Sequence, residues 1–72
     1  MDKNNGLGKT IKALRKSRGL TQLDLALKSG MERTSICNIE RGNQTLNVQT
    51  INAIADALGY QVEIRFKIKE FP

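Results

Sequence analysis

The stretch that decides the fold runs Thr21-Gln22-Leu23-Asp24-Leu25-Ala26-Leu27-Lys28-Ser29-Gly30-Met31-Glu32-Arg33-Thr34-Ser35-Ile36-Cys37-Asn38-Ile39-Glu40-Arg41-Gly42. Thr21 followed three residues later by Asp24 reads as a helix start. The hydroxyl can accept from a first-turn amide, and the carboxylate can reach back in the manner of a capping box. That helix runs to about Ser29 and is closed by Gly30. Gly30-Met31-Glu32 allows only a short turn before a further helical segment, which points Ile36 and Ile39 inward and ends at Arg41-Gly42.

The flanking sequence extends this helical reading in both directions. Upstream, Leu7, Ile11 and Leu14 recur at helical spacing among Lys9, Lys12, Lys16 and Arg18, and Gly19 stops the helix. Residues 1–6 are polar and include Asn4, Asn5 and Gly6, so a flexible arm is expected there. Downstream, residues 43–46 form a loop. Asn47 then caps a helix carrying the apolar stripe Val48, Ile51, Ile54, Ala55 and Leu58, which Gly59 terminates. Beyond Gly59 the period changes: Tyr60, Val62, Ile64, Phe66 and Ile68 alternate with Gln61, Glu63, Arg65, Lys67 and Lys69. Alternation of that length predicts a half-buried strand over residues 60–69.

Composition narrows what such a chain can be. Its 72 residues make one domain with a modest core, and domains of this size usually need a disulfide, a metal or oligomerisation to supplement it. The one cysteine excludes an intrachain disulfide, and the absence of histidine leaves a tetrahedral zinc site little to build on. Oligomerisation remains. Neither metal nor cofactor is expected. The formal charge of +5 suits a polyanionic partner. No apolar run approaches membrane-spanning length, the N-terminus lacks a signal-peptide core, and a lone thiol fits a reducing compartment. A cytoplasmic location without a membrane partner is therefore expected. Catalysis would need acid, base or nucleophile groups converging in a pocket. With no histidine, one thiol and scattered carboxylates, an enzyme is not expected.

Two short helices joined by a tight, Gly-containing turn match the unit whose second helix enters the major groove. The residues sharpen that match. Arg15-Lys16-Ser17-Arg18-Gly19-Leu20-Thr21-Gln22, Leu25-Ala26, Gly30-Met31, Ser35-Ile36-Cys37-Asn38-Ile39-Glu40-Arg41-Gly42 and Ala55-Asp56-Ala57-Leu58-Gly59 resemble the Cro/phage-repressor (Xre-type) helix-turn-helix family over roughly residues 7–59. The resemblance implies a mainly α, four- to five-helix, lambda-repressor-like DNA-binding domain with double-stranded DNA as partner.

It also implies roles for particular residues. Gln22 would contact the DNA backbone and brace the reading helix, while Arg33, Thr34 and Asn38 would reach base edges. Their chemistry suits this: Arg pairs bidentately with guanine, Asn with adenine, and Thr can bond a base or touch a thymine methyl. Ser35 and Cys37 lie on or near the same edge. Arg41 joins Lys9, Lys12, Lys16, Arg18 and Lys28 as a candidate phosphate neighbour, though fewer than half of these are expected to touch DNA. Gly42 and Asn43 sit where the family's backbone approaches a phosphate. Arg15 and Glu40 occupy the positions of an internal salt bridge between the first helix and the end of the reading helix.

Two features depart from the family pattern. Leu23 and Leu27, four residues apart, stand where the family is usually polar. They either cover the rim of a small core or offer an apolar patch to a protein partner, and the rim is the favoured reading. The terminal strand is the other departure. A single strand leaves its backbone groups unpaired and its edge open to another chain, so residues 60–68 are expected to pair antiparallel with a second copy. Tyr60, Val62, Ile64, Phe66 and Ile68 would then pack on both helical domains of a closed homodimer, with two reading helices roughly 34 Å apart. This layout is similar to that of HipB-type antitoxins. The expected function is that of a dimeric repressor on a palindromic operator, a restriction-modification controller being a variant of it. The alternative is an antitoxin that binds a protein toxin and represses its own operon.

Overall fold

The computed structural model describes residues 3–70 and contains four helices: α1 (Leu7–Ser17), α2 (Gln22–Ser29), α3 (Arg33–Glu40) and α4 (Val48–Leu58). Side-chain caps fix where two of them begin. At α2 the Thr21 hydroxyl accepts from the Asp24 amide at 3.0 Å, and Asp24 Oδ2 accepts from the Thr21 amide at 2.9 Å, a complete capping box. At α4, Asn47 Oδ1 accepts from the Thr50 amide at 2.8 Å. The end of α3 depends on Gly42 at φ 79, a left-handed conformation that costs an L side chain free energy. There the Gly42 amide donates to Ile39 O and the Asn43 amide to Asn38 O, satisfying carbonyls the helix leaves open.

Ile11, Leu25, Ala26, Ile36, Ile39, Ile54 and Leu58 form one core, with Leu14, Leu20, Met31, Leu46 and Ala57 packed around it. The helix pair α2–α3 packs most closely; α2 also meets α4 and α1 meets α3, whereas α1 and α4 make only a thin contact. The α4 stripe is narrower than its spacing suggested, because Val48 in the first turn is exposed while Ile54 and Leu58 are buried. Among the described residues every buried side-chain nitrogen and oxygen has a hydrogen-bond partner.

Two expectations need correction. The polar start, expected as a free arm, is folded over residues 3–6. Asn4 is buried, the Lys3 amide donates to Gly42 O at 2.8 Å, and the Leu7 amide donates to Asn4 O at 3.1 Å. Met1 and Asp2 lie outside the described residues. The second correction concerns the tail. None of the described residues forms a strand, and residues 60–70 leave α4 without regular structure. A strand is defined by ladder bonds to a neighbour, and the helices leave no sheet edge within the chain for this segment to join. The helix count falls at the lower end of the expected four to five.

Candidate nucleic-acid interface

Helix α3 turns Ile36, Ile39 and Glu40 to the core. Thr34, Asn38 and Arg41, spaced by four and three residues, therefore share the opposite face. Arg33, Thr34, Arg41 and Asn43 are exposed, while Asn38 on that face and Ser35 and Cys37 on its flanks are half-buried. The helix thus offers a short polar ridge of amide, hydroxyl and guanidinium groups, the donor and acceptor set that base edges in a major groove can read. Asn43 stands just past the helix end, its amide already engaged with Asn38 O.

A buried ionic joint sets the angle of this ridge. Arg15 Nε donates to Glu40 Oε2 at 2.6 Å and Arg15 Nη2 to Glu40 Oε1 at 3.0 Å, while Nη1 donates to Leu20 O at 2.8 Å. The two side chains are only 9% and 3% exposed. The hydrogen bonds to Glu40 raise the Arg15 pKa above its ordinary value; burial pulls the other way, and the Glu40 charge adds to the rise. Gln22 Nε2 also donates to Glu40 Oε1, at 3.1 Å, so the first residue of α2 braces the last residue of α3. One carboxylate therefore gathers α1, α2 and α3 behind the polar ridge.

A second joint holds the C-terminal end of α3, and sequence reasoning missed it. Asn4 Nδ2 donates to Ile39 O at 2.8 Å and to Gln44 O at 3.2 Å, and Asn4 Oδ1 accepts from the Gly8 amide at 3.2 Å. Gly8 is what lets α1 come this close. A Cβ there would overlap the Ile39 carbonyl oxygen, which is backbone and has no freedom to move aside. The signal was present, since a glycine inside a helical pattern costs about 1 kcal/mol against alanine and usually has a packing reason.

The candidate phosphate neighbours separate. Lys9, Lys12, Lys16, Lys28 and Arg41 are exposed. Arg18 instead lies over the Tyr60 ring, 4.9 Å from its centroid, in a cation–π contact that ties the end of α1 to the start of the tail. Leu23 and Leu27 do not cover the core rim. Leu25 and Ala26 take the buried face of α2, so Leu27 faces outward at 73% exposure. Tyr60, Ile64, Phe66 and Ile68 are exposed, and only Val62 of the alternating set is half-buried. Among the described residues no His, Cys, Asp or Glu cluster is placed to hold a metal ion, and no helix is long and apolar enough to cross a membrane.

Two helices in a tight-turn unit, the second with a polar outer face locked from behind, define a helix-turn-helix protein. The chain belongs to the helix-turn-helix family, which it matches over residues 11–64. Membership of that family sets aside the enzyme reading. Among relatives, the immunity repressor of Bacillus phage phi105 is 45% identical over 56 residues, covering 78% of this chain and 39% of the repressor. Antitoxin PezA of Streptococcus pneumoniae is 40% identical over 48 residues, 67% of this chain and 30% of the antitoxin. The chain thus spans less than half the length of either. In structure it is similar to the restriction-modification controller protein C.AhdI of Aeromonas hydrophila, with a TM-score of 0.73 and 33% identity, covering 75% of this chain and 82% of that one.

Proposed function

We propose that this chain is a sequence-specific DNA-binding transcriptional regulator that works in the cytoplasm as a dimeric repressor on a palindromic operator. The observation that carries the reading is the polar face of α3 backed by the buried Arg15–Glu40 joint. A solvated surface helix has no need of a buried ion pair behind it, since such a pair often adds little net stability. Fixing the presentation of a reading helix is a use that justifies it. In this reading Arg33, Thr34 and Asn38 address base edges, with Ser35 and Cys37 beside them. Gln22, Arg41 and the Asn43 side chain approach phosphates, the Gly42 and Asn43 amides being engaged with Ile39 O and Asn38 O. The likeness to a phage repressor and to a controller protein supports regulation of transcription as the task.

Dimerisation belongs to the same proposal. Beyond the Tyr60 amide, which donates to Ala55 O, the tail runs without regular structure and carries alternating apolar residues, and antiparallel pairing of residues 60–68 with a second copy would give its backbone a ladder across a two-fold axis. Two reading helices would then meet successive major grooves roughly 34 Å apart. The antitoxin reading draws on the exposed Leu23 and Leu27 and on the likeness to antitoxin PezA, of which the match covers 30%; the likeness to a phage repressor and to a controller protein favours the repressor reading.

The test is selection from a random-sequence duplex library, followed by titration of the selected duplex against a scrambled one. Selected DNA should bind at least about a thousandfold tighter. Replacing Arg33 or Asn38 by alanine should cost about 1–3 kcal/mol on the selected duplex. Equal affinity for both duplexes would reject the proposal.

A further inference from the structure

The thin contact between α1 and α4 leaves an apolar groove of about 290 Å³, walled by Leu7, Leu14, Leu46, Ile51 and Leu58 and closed at one end by the chain's own Tyr60 and Val62. A cavity of about 150 Å³ lined by aliphatic side chains takes a benzene ring, so this groove has room for an aromatic side chain and an aliphatic one together. The tail leaves over its rim with its course set at the start: the Tyr60 amide donates to Ala55 O at 2.8 Å, and Arg18 covers the Tyr60 ring. Further along, Phe66 and Ile68 stand 95% and 97% exposed.

We propose that the groove is the socket for a second copy of this chain. The two tails pair antiparallel in the register centred on Ile64, and Phe66 and Ile68 of the partner subunit fill the groove. The inference rests on the dimeric reading above and specifies its geometry. The chain's own Phe66 is not placed to turn back into the groove. It lies about 13 Å beyond Val62 along an extended strand, and the intervening Glu63-Ile64-Arg65 contains none of the Gly, Pro, Asn, Asp or Ser that a reversal favours. The occupant must therefore come from another molecule, and a two-fold mate brings the matching tail at the same place.

The register follows from the polar face. Keeping apolar residues opposite apolar ones restricts a symmetric pairing to a few alignments. Centring on Glu63 sets Glu63 against its own copy, and centring on Arg65 sets Arg65 against its own copy; like charges directly opposite are destabilising. Centring on Ile64 sets Glu63 against Arg65 of the partner subunit, twice per dimer. Within one chain these two side chains already share a face, with Arg65 Nη2 3.2 Å from Glu63 Oε2. The same alignment brings the partner's Phe66 opposite Val62 and the partner's Ile68 opposite Tyr60, the two residues that close the groove.

The test uses the full chain in sedimentation equilibrium. E63R and R65E are both surface changes, and each should raise the dimer dissociation constant roughly three- to tenfold. The double variant E63R/R65E should restore it. In a Cys37→Ser background, a mixture of V62C and F66C chains should form an intermolecular disulfide on oxidation, which neither chain forms alone. A dimer indifferent to the charge reversals, or one without the mixed disulfide, overturns the register and the socket while leaving dimerisation standing. A full-length monomer overturns the dimeric reading as well, and makes the tail and groove a surface for some other protein.

Discussion

Arg15 and Gly8 are both held tightly by their neighbours. Removing one member of a buried ion pair strands the other charge, at a cost of about 3–5 kcal/mol. A domain of this length commands only about 0.05–0.15 kcal/mol per residue in total. Glu40→Ala should therefore remove a large part of the stability and lower the urea midpoint steeply at neutral pH, while the joint replacement of Arg15 by Met and Glu40 by Leu should recover most of the loss. The same double variant should still bind the selected duplex more weakly, because α3 has lost the joint that orients it. The raised Arg15 pKa fixes the sign of the pH effect: its contribution is present below the unfolded value and is lost only as pH rises through the still higher folded one. Stability should stay flat on this account through neutral and mildly alkaline pH. Gly8→Ala sets about 1 kcal/mol of better helix propensity against a Cβ driven into the Ile39 carbonyl. Overpacking typically costs about 1–3 kcal/mol and occasionally more, so a lowered melting temperature is the expected outcome. A raised one would mean that α1 and α3 can separate without loss.

Among the elements, α2 carries the sharpest local signature, since Thr21 and Asp24 announce its start and the capping box forms as the spacing indicates. Its cost of removal should be ordinary: Thr21→Ala is expected to lose about 1 kcal/mol in denaturant titrations. The Asp24 carboxyl sits below its ordinary 3.8, chiefly through the hydrogen bond from the Thr21 backbone and then through that from its hydroxyl. A depressed folded pKa contributes stability that is present above 3.8 and is lost as pH falls through the lower value. Asp24→Asn should thus flatten the acid limb of the stability profile below about pH 4, and an unchanged limb would show that the box does not form in solution. The tail behaves differently from the helices. Its alternation is as regular as any helical pattern in the chain, yet no strand forms, because a helix bonds within itself whereas a strand needs a neighbour.

At the scale of the whole molecule, the proposed DNA side and the proposed dimer side draw on different elements. The ridge of α3 belongs to the proposed DNA side, while the groove and the tail, with its Lys67 and Lys69, belong to the proposed two-fold mate. Arg18, one of six basic residues indistinguishable by composition, falls with the second group through its stacking on Tyr60. Salt titration of DNA binding should separate the two roles. Arg41→Ala is expected to reduce the slope of log K against log salt by about 0.9, the value of one phosphate contact. Arg18→Ala should leave that slope unchanged and loosen the dimer instead. A slope reduced equally by both changes would return Arg18 to the DNA side.

The sequence by itself determined what local interactions control: four helices, the glycines and caps that bound them, the tight turn between α2 and α3, and the inward set Ile36, Ile39, Ile54 and Leu58. Caps act within three residues and helical periodicity within a few turns, so both can be read along the chain. Arg15 and Glu40 could be singled out only because family positions marked them. Only the tertiary structure decided that Asn4 locks α3 from thirty-five residues away, that Gly8 is a contact point between helices, that Leu27 faces solvent, and that Arg18 turns from the proposed DNA side to Tyr60. Each of these depends on how distant segments meet in space, and no spacing along the chain encodes that meeting.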